Sequence, residues 1–422
     1  MVDLVIRNGR VATPAGLTET DVAIDAGLVV GLGAAYDAKQ VIDAAGALVG
    51  PGLVDIHTHL REPGEEWKED IESGSAAGAA GGYTALVAMP NTVPPIDAGH
   101  LARYVQERGR RAGRLELATA GCITAGRQGR HLAHLDDLWE AGVRVFTDDG
   151  DGVADSGVLR EAMDYLAERG GMIAQHAEDP GLARGGHMHE GSVSSRLGMV
   201  GIPRESEELM VARDLALVRL TGCRYHVQHV SAAGTLGLIA AAKREGLPVT
   251  AEVSPHHLAF DHQRVATFDP VYKMYPPLRS PRDVAALREA LIAGLIDAVA
   301  TDHAPHAAHE TEVPFEEAPR GVIGLETAAA AVNTFVGLPP IAFFERMAVV
   351  PARLAGLSNQ GRWVEMGSPA HLVIFDHTAE WTPTVFRSKS ANSPFRGVAL
   401  KGRVRATVFD GRLAYQLETT HA

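Results

Sequence analysis

Between about residues 51 and 355, short apolar runs alternate with longer stretches rich in Ala, Leu and Arg. The runs cover 53–57, 84–89, 115–120, 143–148, 172–176, 225–230, 249–253 and 298–302. Each is strand-length and apolar on both faces, the pattern of a buried parallel strand, and each intervening stretch is long enough for a helix. Eight such units predict an α/β protein with a (β/α)8 TIM-like barrel, although the pattern alone also admits an open doubly wound sheet. The two ends differ. Residues 1–50 read as short strands with turn punctuation, including an expected hairpin of 4–6 against 10–12 about Asn8-Gly9. Segments 371–376, 402–411 and 412–415 have the same character. We therefore expect a small composite β-sandwich from both termini (1–50 with 356–422) beside a catalytic unit over 51–355.

Composition narrows the function. The 422 residues carry a formal charge of −13 with no basic block, which argues against nucleic-acid or anionic-membrane partners and leaves a small-molecule substrate. Only Cys122 and Cys223 are present, so no disulfide framework is expected. With 19 His, any metal site should be nitrogen- and oxygen-ligated. The first residues lack a signal-peptide layout and no apolar run is long enough to cross a bilayer, so the expected location is cytoplasmic.

The chemistry lies in the residues that end the apolar runs. His57 and His59 close the first, Asn91 follows the second, and Asp148-Asp149 end the fourth. His176, His229 and Asp302 end the fifth, sixth and eighth. In a (β/α)8 barrel these ends form one rim, where active sites are assembled. His57 and His59, two apart on a strand, face the same way and can reach one cation. His226 faces away from His229 and reads as structural. Periodicity does not choose between Asp148 and Asp149, and His256 and His257 read as either supporting or packed residues.

Several segments together resemble the type I dihydroorotases of the cyclic amidohydrolases. They are Asp55-Ile-His-Thr-His-Leu-Arg-Glu-Pro-Gly64, Met89-Pro-Asn-Thr92, Phe146-Thr-Asp-Asp-Gly150 and His176-Ala-Glu-Asp179. Further along are His229-Val-Ser231, Pro255-His-His-Leu258, Pro276-Pro-Leu-Arg279, Ala300-Thr-Asp-His-Ala-Pro-His306, Gly324-Leu-Glu-Thr327 and Asn392-Ser-Pro-Phe395. The resemblance implies two metal ions, expected to be zinc. One is held by His57, His59 and Asp302, the other by His176 and His229, and Asp149 bridges them where hydantoinases and allantoinases carry a lysine. It also implies reversible hydrolysis of (S)-dihydroorotate to N-carbamoyl-L-aspartate in pyrimidine biosynthesis, by hydroxide that the metals supply. Asp302 is the implied proton shuttle, and Arg61 and Asn91, with His306 nearby, hold the substrate carboxylate. A homo-oligomer or an association with aspartate transcarbamoylase is the kind of assembly it suggests.

Three positions depart from the family pattern. Tyr275 replaces the substrate-binding Asn of Lys-x-Asn-Pro-Pro-Leu-Arg, Thr311 replaces a Lys, and His371 replaces an Asp. Tyr275 is still expected to touch substrate, but a phenol lacks the amide's paired donor and acceptor. It motivates an alternative, hydrolysis of another cyclic amide or imide as in hydantoinases or allantoinases. An inactive scaffold subunit is the other alternative, disfavoured by the intact set of six candidate ligands. Residues 307–321 form a long segment, expected to be an active-site lid.

Overall fold

A computed structural model describes residues 1–33 and 36–418. The N-terminal strands are β1 (Val2–Thr13), β2 (Gly16–Asp25), β3 (Leu28–Leu32), β4 (Ala38–Asp43) and β5 (Leu48–Pro51). The central strands are β6 (Leu53–Thr58), β7 (Tyr83–Ala88), β8 (Glu116–Thr119), β9 (Val145–Phe146), β10 (Met172–Gln175), the short pair β11 (Met188–His189) and β12 (Gly201–Ile202), β13 (Arg224–Val227), β14 (Val249–Val253) and β15 (Ala298–Val299). The C-terminal strands are β16 (Leu372–Trp381), β17 (Leu400–Phe409) and β18 (Arg412–Gln416).

Strands from both ends of the chain form one eight-stranded sheet in the order β18-β17-β16-β5-β1-β2-β3, with β4 also on β1. The join is β5, parallel to β1 and antiparallel to β16. Its apolar face buries Leu4, Ile6, Val22, Ile24, Leu372, Ile374 and Val408 in a core of its own.

The expected hairpin about Asn8-Gly9 does not form. Residues 2–13 are one strand, the register shifts between Ile6 and Gly9, and the reversal falls where Thr13 faces Gly16. Asn8 takes φ +55, so this dipeptide supplies a bulge, another use of a residue that tolerates left-handed backbone. Strand β4 has no counterpart in the sequence pattern. It lies at a sheet margin with Lys39, Gln40 and Val41 exposed, so its residues show no apolar alternation.

All eight apolar runs of the middle contain a strand, and every neighbouring pair is parallel. They form a three-stranded sheet, β6-β7-β8, and a five-stranded sheet, β15-β14-β13-β10-β9. Isolated parallel bridges link Gly121 to Phe146 and Thr58 to His303. Helices such as Gly99–Ala112, Ser156–Ala167 and Glu205–Thr221 pack apolar faces on these strands. Only Gly52 separates β5 from β6; a Cβ there would come 2.2 Å from the Thr84 side chain, so the chain passes too close to β7 for any side chain. Among the described residues, no helix is long and apolar enough to cross a membrane.

Candidate metal centre and active site

At the C-terminal ends of the central strands the polar residues converge. His57 lies on β6 and His59 directly follows it, Asp149 follows β9, His176 follows β10, His229 follows β13, and Asp302 follows β15. All six are buried. Asp149 Oδ1 lies 3.4 Å from His57 Nε2, 3.4 Å from His229 Nε2 and 3.5 Å from His176 Nδ1, while its Oδ2 lies 3.4 Å from His59 Nε2. Asp302 Oδ1 is 3.1 Å from His59 Nε2 and 3.6 Å from His57 Nε2.

Asp148 turns the other way. It accepts hydrogen bonds from the Ile123 and Thr124 amides at 2.8 and 3.1 Å and from the Thr124 hydroxyl. Local hydrogen bonding, invisible to strand periodicity, separates the roles of the two aspartates.

The donor set fits a cation. His57 Nε2 and Asp149 Oδ1 are buried atoms of the cluster without a hydrogen-bond partner, a costly arrangement unless something else satisfies them. Ligand bonds of about 2.0–2.1 Å in a tetrahedron separate neighbouring donors by roughly 3.3 Å, the spacing found around Asp149. His57, Asp149 and His229, and also His57, His59 and Asp302, bring their donor atoms within 4.8 Å of one another. Burial opposes charge throughout. Even so, the Asp149 and Glu252 carboxylates raise His57 well above its ordinary value, and Asp149 and Glu178 raise His176 to about 9. Against the same burial, His57 and its neighbours hold Asp149 well below the usual carboxylate range. The cluster thus draws in positive charge.

The imidazoles are oriented from behind. Glu252 Oε1 lies 2.7 Å from His57 Nδ1, and Glu252 Oε2 lies 3.2 Å from His226 Nε2, whose Nδ1 is 2.8 Å from Thr250 Oγ1. A carboxylate only accepts, so Glu252 fixes the proton on Nδ1 and leaves the His57 Nε2 lone pair facing Asp149. Asn91 Oδ1 does the same for His59 Nδ1 at 2.8 Å. His256 and His257 hydrogen-bond Ser254 at 2.8 and 2.6 Å, and His257 also donates to the Pro276 carbonyl. Glu252 is a functional residue that the sequence pattern misses; the available signal is a charged residue inside an otherwise apolar strand.

The cluster opens into a cavity of about 230 Å³ lined by His59, Arg61, Asn91, Tyr275 and His306, together with Arg127 and Arg320. Arg61 donates to the Pro305 carbonyl at 3.1 Å, and its terminal nitrogen is 3.5 Å from His306 Nε2. His306 Nε2 also donates to the Arg320 carbonyl at 2.8 Å. Arg61, His229 and Asp302 take φ of +61, +31 and +48, backbone that costs about 1–3 kcal/mol per residue and characteristically persists at functional sites. A larger cleft of about 640 Å³ beside β8 lacks this set of ligands.

A rim of buried His and Asp donors above parallel strands, opening on an arginine-lined cavity, has the make-up of a metal-dependent hydrolase site. Comparison with known proteins takes this further. A family model described as dihydro-orotase-like matches residues 46–234. The dihydroorotase of Mycobacterium tuberculosis is 45% identical over 404 residues, covering 93% of this chain and 94% of that protein. That of Pelotomaculum thermopropionicum is 43% identical over 423 residues, covering 98% of each. Among solved structures, the L-hydantoinase (dihydropyrimidinase) of Arthrobacter aurescens superposes with a TM-score of 0.86 at 28% identity, over 98% of this chain and 96% of that one. The chain belongs to the dihydroorotase family.

Proposed function

We propose that this protein hydrolyses (S)-dihydroorotate reversibly to N-carbamoyl-L-aspartate, the cyclisation running in the direction of pyrimidine synthesis. The observation that carries the reading is Asp149 set among four imidazoles in place of a lysine, in a chain 41–45% identical to dihydroorotases. His57, His59 and Asp302 would hold one cation, His176 and His229 a second, and Asp149 would bridge them. Two zinc ions suit neutral imidazole and carboxylate donors. When bound, they supply Lewis acidity and a water that ionises near neutral pH.

The protein's own groups do the rest. Arg61 takes the substrate carboxylate as a guanidinium fork, with the Asn91 amide and His306 beside it. Clamped there, the ring amide carbonyl faces the cluster in a near-attack position. Asp302 accepts the proton of the attacking water as the C–O bond forms. It returns that proton to the ring nitrogen as the C–N bond breaks. Burial of Asp302 and its imidazole neighbours keeps competing water away.

The bridges at Gly121–Phe146 and Thr58–His303 support a closed (β/α)8 barrel over residues 51–355, with 1–50 and 356–422 as the accessory unit. Residues 307–321 would serve as the lid, and a cytoplasmic setting, in a homo-oligomer or with aspartate transcarbamoylase, suits such an enzyme. A second reading, hydrolysis of another cyclic amide, is favoured by Tyr275 and by the likeness to the Arthrobacter hydantoinase. The deciding experiment is a metal-analysed assay of wild type and Asp302→Ala on dihydroorotate, hydantoin and allantoin. Dihydroorotate turnover that disappears in the folded variant is expected; turnover of hydantoin alone would overturn the lead.

A further inference from the structure

Arg320 lines the cavity but has no part in the scheme above. Its guanidinium carbon lies 4.1 Å over the centroid of the Tyr275 ring, which is itself 4.5 Å from the His176 ring. One terminal nitrogen donates to the Gly186 carbonyl at 2.7 Å, and its own carbonyl accepts from His306 Nε2. The preceding segment is stapled by Lys273, whose Nζ donates to the carbonyls of Phe315, Glu316 and Ala318 at 2.7, 2.9 and 2.7 Å. Arg320 is therefore fixed through its side chain, its backbone and the chain that leads to it.

Arg127, the other extra arginine of the cavity, pairs with the Asp151 carboxylate at 2.7 Å. Among the described residues Arg320 and Arg61 form no ion pair with any carboxylate. A guanidinium stacked face-on upon an aromatic ring keeps its in-plane N–H edge available to an acceptor. Arg320 and Arg61 share the cavity of about 230 Å³ with the Asp149 and Asp302 carboxylates, whose charge the imidazole cluster and its cations would offset, and this leaves the arginine side as an anion subsite.

We propose that Arg320 is a specificity-determining substrate-binding residue. Held on the Tyr275 platform, it joins Arg61 in selecting a cyclic ureide that bears a carboxylate over a neutral one. Tyr275 then works through the guanidinium it supports, which accounts for a phenol standing where the family has an amide. This rests on the cavity being the substrate site of a cyclic-amide hydrolase.

The test is steady-state kinetics of metal-loaded wild type, Arg320→Met and Arg320→Lys on dihydroorotate and neutral dihydrouracil, with calorimetric binding of orotate. Arg320→Met should raise the dihydroorotate KM about tenfold or more while kcat stays within about threefold, with partial rescue by Arg320→Lys. Orotate binding should weaken in parallel, and any dihydrouracil turnover should change by less than about twofold. An unchanged KM, or an equal loss for both rings, would overturn the proposal. Should the wild type leave dihydroorotate untouched, the functional reading fails by itself and orotate binding still decides: weaker binding to a folded Arg320 variant supports the assignment, equal binding overturns it. If Arg320→Met does not fold, Arg320→Gln takes its place in each measurement.

Discussion

Glu252 and His57, 195 residues apart, approach to 2.7 Å at the floor of the site, and the carboxylate fixes which imidazole nitrogen faces the cavity. Glu252 touches neither the cavity nor the substrate site; it acts by holding a ligand's tautomer and angle. Glu252→Gln should keep the fold and still lower metal content and turnover together, by about 10–100-fold in affinity or activity. Metal analysis of the purified variant beside its kcat checks this. Full metal retention at wild-type activity would count against a role for the pair.

Lys273 offers a structural counterpart. It is buried, and burial pushes its pKa down to about 8. Lys273→Met would strand three carbonyls of residues 315–318, at a cost on the order of 3 kcal/mol. A lower Tm should follow, with faster hydrogen exchange confined first to that segment and a raised substrate KM. Unaltered exchange at 315–318 would show that other contacts hold the segment.

Gly64 sits at φ +100, and a Cβ there would come 2.1 Å from the Val93 carbonyl oxygen. Both the backbone conformation and the space exclude a side chain. Gly64→Ala should therefore push apart the loops that carry Arg61 and Asn91. KM should rise more than kcat falls, measurable by steady-state kinetics at saturating metal.

Glu326 bears on pH dependence away from the metal ligands. Burial raises its carboxyl to about 7, against hydrogen bonds from the Ser388 and Arg387 amides. A folded-state pKa above the unfolded one means that the folded chain binds the extra proton between pH ~4.5 and ~7, so stability contributed by the neutral acid is lost as pH rises through that window. Glu326→Gln keeps the acceptor without the charge. Its Tm should gain on the wild type from pH 5 to pH 7.5, whereas parallel Tm curves would argue against the raised pKa.

Much of the site could be read from the sequence because apolar runs ended in His or Asp, and burial on both faces leaves little other reason for such residues there. What escaped depended on contacts formed only in three dimensions. Periodicity leaves Asp148 and Asp149 open and only the family resemblance points to Asp149; the physical reason is the Ile123 and Thr124 amides, which capture Asp148 from a neighbouring loop. Arg320 reaches the cavity from a loop without periodicity, and Glu252 lay hidden in a strand that otherwise reads as apolar. In the terminal sheet the same dipeptide chemistry that suits a hairpin at Asn8-Gly9 also suits a bulge, and only pairing over the full length of β1 distinguishes them.

The passage from β5 into β6 through Gly52 ties these levels together. A strand gripped on one side by the chain's beginning and on the other by residues near its end continues, one residue later, into the one presenting His57 and His59. The terminal sheet is in effect a buttress: peeling away β16 would free the near end of the very strand whose far end must stay still for catalysis. Remote surface positions on that buttress can thereby set the temperature at which activity fails, with no contact to the substrate at all.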